Sequence, residues 1–340
     1  MAAGAASGGG RMSARARHIA VLVGIAVIVL VPIGRSTFFQ GLAADAFIAG
    51  IVVLSLVVLT GLVGQISFCQ YSFAGVGALT VGSLVGGHHW SFWAALPMGV
   101  LFAALVGVVV GIPALRLSGL FLAILTVAVA LFFDRFLLSP GTWDSFSGGI
   151  SPWKVERPSL FGLHLDGAYT FFIFVLVVFL LLCAAVWNLR VGKTGRVLRG
   201  IRDSEVAAST MGLDLTAWKL AAFGVSAAIA GLAGGLLATS VGSVSPPSFD
   251  LLHSLQIAAI VTVMGPASVA SAAAGGVFFI GGTELLRHTP LSARWFPLIL
   301  GVLLIAQLVY RPDGAVTDAE NQGRRLLTRR SRAAAVPEVV

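Results

Sequence analysis

The chain alternates long apolar runs with short polar ones. Positions 19–34, 46–115, 117–133, 167–189, 220–249, 251–283 and 295–310 contain no Asp, Glu, Lys or Arg. A helix needs roughly 20 apolar residues to cross a bilayer, so the longer runs each hold more than one crossing. The pattern predicts an all-α, polytopic bundle of transmembrane helices. It places about ten passes near 19–34, 42–63, 73–87, 93–113, 119–138, 169–189, 220–241, 252–265, 269–286 and 295–310. Only Gly265, Pro266, Ala267 and Ser268 separate the passes at 252–265 and 269–286, which read either as two short spans or as one broken, re-entrant segment. Two polar segments interrupt the pattern on opposite faces: 139–168, rich in Gly, Ser, Pro and Trp, and 188–219, rich in Arg with interleaved apolar positions.

Composition points the same way. With 57% hydrophobic and 11% charged residues among 340, the chain holds more apolar side chain than a soluble core of this length can bury. The formal net charge of +8 would suggest nucleic acid on a soluble basic domain. Here, however, 16 of the 22 Lys and Arg fall at Arg11–Arg17, Arg116, Arg190–Lys219 and Arg311–Arg332, between apolar runs. The charge therefore reads as topology and excludes a nucleic-acid partner; positive-inside reasoning puts both termini in the cytoplasm. The expected organisation is a basic cytoplasmic extension over 1–18, a membrane domain over 19–312 with an inner loop at 190–219 and an outer loop at 139–168, and a basic tail over 313–340 near anionic lipid. Residues 1–35 mimic a signal peptide, but further spans follow, so an uncleaved first helix is expected.

Catalytic chemistry finds no support. His18, His88, His89, His164, His253 and His288 are scattered, no Ser/His/Asp or Cys/His set converges, and Cys69 and Cys183 read as packing residues. The pair His88 and His89 lacks a third ligand and reads as an interfacial turn, so no metal is expected. No Gly-x4-Gly-Lys-Ser/Thr phosphate loop occurs, so any ATP hydrolysis must take place on another chain. The 41 glycines include Gly82-x3-Gly86, Gly107-x3-Gly111 and Gly231-x3-Gly235, spaced for close helix approach and read as packing within one subunit.

The stretch 194–212 is the most informative. It begins basic and ends helical: Asp203 or Ser204 can cap the first amides, Glu205 suits the positive end of the helix dipole, and Gly212 can take the left-handed conformation that ends a helix of about two turns. Val206, Ala207 and Met211 make an apolar face that suits docking into a partner's groove. A second block, Gly61-x2-Gly64-Gln65-x-Ser67-x2-Gln70-x2-Phe73-x-Gly75-x-Gly77-Ala78, puts polar groups and glycines at membrane depth. Irregular backbone there is tolerated where protein or a water-filled path satisfies it, so these residues either line a translocation pathway or satisfy helix ends at the interface.

Glu205-x-Ala207-Ala208-x3-Gly212 resembles the EAA coupling loop through which membrane subunits of bacterial ABC importers engage their ATPases. Gly195-Arg196-x2-Arg199-x-Ile201-Arg202-x2-Glu205, then Trp218-Lys219-Leu220-x-Ala222-Phe223-x2-Ser226-Ala227, narrow the resemblance to branched-chain amino acid permeases of the LivM type. The Gly61–Ala78 block, Leu115-Arg116-Leu117, Gly148-Gly149-Ile150, Glu284-Leu285-Leu286 and Tyr310-Arg311-Pro312 are similar as well, so the likeness covers about 40–315. One departure is that Glu205 stands seven residues before Gly212 rather than six, a spacing the family's own variant shares.

The resemblance implies an importer subunit of the bacterial inner membrane. Its partners would be a second homologous permease, two cytoplasmic ATPase subunits that carry ATP and Mg, and an extracytoplasmic solute-binding protein; the chain itself would bind no cofactor. Gly195, Arg196, Arg199, Arg202, Glu205, Ala207, Ala208, Gly212 and Lys219 would couple to the ATPase. Gly64, Gln65, Ser67, Gln70, Phe73, Gly75, Gly77 and Glu284 would line the pathway, although Arg287 can simply pair with Glu284. Asp45 and the neighbours Asp134 and Arg135 read as interfacial. The expected cargo is leucine, isoleucine and valine, with urea, short amides or other amino acids as alternatives. The rival from another class is an ion-gradient-driven secondary transporter, which paired intramembrane acids would favour.

Overall fold

The structure, a computed structural model, describes residues 32, 34–117, 119–137, 153–155, 157–160, 163–164, 167–244, 248–266, 268–289, 293–310 and 314–318. Most of the first expected pass, the extension over 1–18, Gly148-Gly149-Ile150, most of the outer loop and most of the tail lie outside these residues.

The described architecture is all-α apart from two ribbons of two-residue strands. Helix α1 (Thr37–Leu56) starts under a cap from Ser36, whose Oγ accepts from the Phe39 amide at 3.4 Å, and continues as a π-helix over Val57–Val63. Gly64, at φ +75°, ends it. There follow α2 (Gln70–Gly82, with a π-helical end at Ser83–Gly87), α3 (Phe92–Ala114) and α4 (Leu120–Phe132, continued at Phe133–Leu137). After strands β1 (Trp153–Lys154), β2 (Ser159–Leu160) and β3 (Leu163–His164) come α5 (Ala168–Val191), α6 (Lys193–Asp203) and α7 (Glu205–Thr210). Helix α8 (Leu215–Val241) is capped by Asp214, whose Oδ1 accepts from the Thr216 and Ala217 amides at 3.0 and 3.2 Å. Strand β4 (Ser243–Val244), α9 (Leu251–Met264), α10 (Ala270–Arg287) and α11 (Phe296–Tyr310) complete the order. β1 pairs antiparallel with β4, Trp153 opposite Val244, and β2 pairs with β3.

Helices occupy each pass expected between 42 and 310, yet five of those described have both the length and the apolar character to cross a membrane: Thr37–Val63, Phe92–Ala114, Leu120–Leu137, Ala168–Val191 and Leu215–Val241. Helix α9 has 14 residues and rises about 21 Å at 1.5 Å per residue, short of the roughly 30 Å hydrocarbon layer. The segment through Gly265 to Val269 separates α9 from α10 as two distinct helices. Helix α2 also begins within the bundle. Gln70, its first residue, meets Ser55 of α1, eight residues before Val63 and so roughly 10 Å from that end. The chain between Gly64 and Cys69 thus turns back inward before α2 starts.

From Ala44 onward helix α1 lies almost wholly inside the protein, packed against α10, α5 and α8, while α8 packs most heavily on α3 and α2. Small residues make this possible. A Cβ on Gly77 would collide with the Gly231 backbone, one on Gly234 with the Ala74 carbonyl, and one on Gly276 with the backbone of Ala46 and Gly50. Helix surfaces of this kind gain dispersion contact that bulkier residues would prevent. The glycine pairs serve packing within the subunit, but not all between helices. Gly107 and Gly111 sit against Ala227 and Phe223 of α8, whereas Gly82 and Gly86 sit against Trp153 and Lys154 of β1.

Candidate functional site

Helix α6 is amphipathic. Gly195, Leu198 and Ile201, three residues apart, are buried, and the charged positions between them point outward. Ser204 breaks the helix in an extended conformation and caps the next one, its Oγ accepting from the Ala207 amide at 3.2 Å. Of the two expected caps, the structure uses Ser204. Gly212 adopts φ +78° and lets the chain turn into α8. Within α7, Ala208 is buried and seats the helix. Ala207 is exposed, and Val206 and Met211 are 75% and 79% exposed.

Two side chains tie this helix pair to the bundle. Lys219, in the second turn of α8 and 7% exposed, holds Glu205 Oε2 with its Nζ at 2.6 Å, while the Glu205 side chain is half exposed. Arg202 donates from Nη1 to the Gly61 carbonyl at 2.7 Å, in the π-helical end of α1. A Cβ on Gly64 would lie 2.8 Å from Arg202 Cγ, so this turn of α1 is closed by the arginine stem. Arg199 folds back locally, Nε to the Gly195 carbonyl at 3.0 Å and Nη2 to the Arg190 carbonyl at 3.2 Å, securing the exposed end of α5. Arg196 is exposed. Arg202, expected to couple to the ATPase, and Gly64, expected to line the pathway, are thus in contact.

The expected pathway residues divide into three. Gln70 is fully buried and cross-braces three helices: Ser55 Oγ donates to its Oε1 at 3.1 Å, and its Nε2 donates to Ser226 Oγ at 3.1 Å. Ser226 closes the ring by donating to the Ser55 carbonyl at 2.7 Å. Ser67 beside Cys69 at 3.3 Å, Phe73 edge-on to Phe133, and Gly75 and Gly77 are likewise packed inside. Gln65 is buried with no hydrogen-bond partner for its Oε1 among the described residues, although Thr60 Oγ1 donates to its backbone carbonyl at 3.2 Å. Glu284 stands apart, towards the far end of α1. It lies 3.5 Å from Arg287 and 3.3 Å from His288, and with Thr37, Asp45, Thr283 and Arg287 it lines a cavity of about 330 Å³ between α1 and α10.

Sequence reasoning passed over several groups. Ser55 is unremarked and Ser226 enters only as part of the Trp218–Ala227 block, yet their partnership spans 171 residues. Asp45 has a partner that its sequence neighbourhood does not announce: Ser240 Oγ of α8 donates to its Oδ1 at 2.5 Å. Asp250, the single charged residue between Lys219 and Glu284, caps α9 and contacts His253, and His253 stacks on Tyr71. That isolated charge was the available signal. Asp134 and Arg135 pair at 3.7 Å as neighbours sharing solvation.

Comparison with known proteins follows the same lines. Residues 38–308 match the family model described as the permease component of branched-chain amino acid transport systems. The high-affinity branched-chain amino acid transport system permease proteins LivM of Salmonella typhimurium and Escherichia coli are each 32% identical to the chain over 284 residues, covering 77% of it. The match spans 66% of each of those relatives, just under two thirds of their length. The autoinducer 2 import system permease protein LsrC of an Enterobacter species is 25% identical over 275 residues, 75% of the chain and 73% of that relative. No solved structure gives a significant match.

Proposed function

The chain belongs to the family of permease components of branched-chain amino acid transport systems, and from that premise we propose that it is the membrane-spanning subunit of an ATP-driven importer for branched-chain amino acids. It works beside a second permease, two cytoplasmic ATPase subunits that bind ATP and Mg, and an extracytoplasmic solute-binding protein, in the bacterial inner membrane. The observation that carries this reading is α7: a capped helix with an exposed apolar face of Val206, Ala207 and Met211, braced from beneath rather than left as a loose loop.

The braces supply a route for force. ATPase closure presses on α7 over 205–212. Arg202 passes the displacement to α1 through the Gly61 carbonyl, and the Glu205–Lys219 pair passes it to α8. Helices α1 and α8 both grip Gln70 through Ser55 and Ser226, so relative motion of the two acts on the first residue of α2. Gly61 and Gly64 permit the tight packing this needs. Both ends of the chain lie on the ATPase side, with 190–219 as the coupling loop inside a membrane domain of 19–312.

Purification of the tagged chain from its native membrane, followed by reconstitution and assay of leucine-stimulated ATP hydrolysis, tests the reading. Recovery of an ATPase and a second permease, with leucine uptake dependent on ATP, is the expected result. A chain that purifies alone and moves solute down an ion gradient would overturn it.

A further inference from the structure

Helices α2 and α9 both start inside the span, and they start beside each other. The C-terminal end of α9 lies at the coupling end of the molecule, because a Cβ on Gly61, whose carbonyl holds Arg202, would collide with the carbonyl of Pro266. From there 14 residues carry α9 about 21 Å up, so its first turn sits within the hydrocarbon depth. In that turn Asp250 Oδ1 accepts from the His253 amide at 3.0 Å and also contacts His253 Nδ1. Tyr71, the second residue of α2, lays its ring on the His253 imidazole with centroids 5.3 Å apart and planes 16° apart.

Ionisable groups at this depth are expensive and mark sites of function. Three observations say that this cluster is built to receive something. The Asp250 and His253 side chains are 32% and 41% exposed, so they are not sealed into a structural core. Tyr71 is more than nine-tenths buried, yet among the described residues its hydroxyl has no hydrogen-bond partner. Ser254, next to His253, keeps a buried hydroxyl with no partner either. Aromatic rings close the surroundings: Phe249 lies 5.5 Å from Tyr71 and Phe279 6.1 Å from His253. A carboxylate, a free phenol and an apolar wall together match a small molecule with a charged head and a hydrocarbon side chain.

We propose that Tyr71 and Asp250 contact the zwitterionic head of the transported α-amino acid midway through the membrane. The Asp250 oxygen turned away from His253 accepts from the solute's ammonium, the Tyr71 hydroxyl donates to its carboxylate, and its side chain lies against Phe249 and Phe279. His253 is a positioning residue that fixes the rotamer of Asp250. The proposal rests on the permease reading above and gives that permease its solute contact.

The test uses the complete reconstituted complex, with its ATPase subunits and binding protein, in proteoliposomes loaded with ATP. Labelled leucine uptake and the ATPase stimulation caused by the leucine-loaded binding protein are measured for wild type, Asp250→Asn, Tyr71→Phe and His253→Ala. Asn retains the helix cap, so Asp250→Asn isolates the charge. Asp250→Asn and Tyr71→Phe are expected to lower uptake by about tenfold or more with ATPase stimulation near wild type, and His253→Ala to lower it less. Uptake within twofold of wild type in both first variants overturns the proposal, as does parallel loss of uptake, ATPase stimulation and thermal stability, which marks a structural brace. A wild-type complex without ATP-dependent leucine uptake overturns the permease reading instead, whatever the variants do.

Discussion

Arg202→Ala removes one hydrogen bond and the side chain that closes the turn at Gly64. A guanidinium hydrogen bond to a carbonyl contributes on the order of 1.5–3 kcal/mol net; because Arg202 is exposed, a value of about 1–2 kcal/mol is appropriate. That free energy holds α6 against α1 and corresponds to a factor of roughly 5–30 in the seated population. On the importer reading proposed above, the expected result is a fall of similar size in leucine molecules imported per ATP hydrolysed, with hydrolysis itself maintained. Uptake and phosphate release measured in the same proteoliposomes give this ratio directly. Gly64→Ala supplies the second arm. It places a Cβ at φ +75°, costing about 1–2 kcal/mol, and drives it against Arg202 Cγ. In the Arg202→Ala background the contact is gone and only the backbone strain remains, so the two changes should be less than additive by about 0.5 kcal/mol or more. A transport-to-ATP ratio within twofold of wild type for Arg202→Ala, or strict additivity with Gly64→Ala in thermal stability, would refute the linkage.

Three further outcomes follow from the same geometry. Glu205→Gln should destabilise more than Lys219→Met, because the first leaves a buried ammonium unpaired while the second leaves a half-exposed carboxylate in water; equal losses in detergent melting temperature would contradict this. Gln70→Leu, close in volume, removes two buried hydrogen bonds and should cost about 1–3 kcal/mol with a matching loss of coupled uptake; unchanged stability and uptake would show the brace to be idle. Gly234→Val forces a Cβ onto the Ala74 carbonyl and should destabilise by about 3 kcal/mol or more, read as failure to recover a monodisperse protein by gel filtration.

Helices that repeat an apolar run are legible from the sequence because their signal is local, and so is α7, whose cap at Ser204, acidic first turn and terminal Gly212 all fall within nine residues. What stays hidden is pairing across long separations. Nothing in the spacing of Ser55, Gln70 and Ser226 announces that they form one ring, and nothing near Arg202 names Gly61 as its acceptor. Depth is hidden too. The apolar run from 46 to 115 does not reveal that the chain turns back after Gly64 and starts α2 at the level of Ser55. Gly82-x3-Gly86 shows the limit of motif reading in another way: its spacing suits a helix partner, but the β1 ribbon occupies that face.

The near-complete enclosure of α1 has a consequence for how the protein is made. Its chief neighbours α5, α8 and α10 begin at Ala168, Leu215 and Ala270, about 100, 150 and 200 residues after α1 ends at Val63. At roughly 5–20 residues per second of synthesis, α1 waits about 5–40 s for its partners. During that time Asp45 and Ser55 lack the hydrogen bonds that Ser240 and Ser226 of α8 later donate to them. Its largely apolar sequence is therefore a requirement of biogenesis as much as of the finished fold. The earliest of these helices to be synthesised is enclosed only when the later ones arrive, and nascent chains that stop short of α8 should be quality-control substrates.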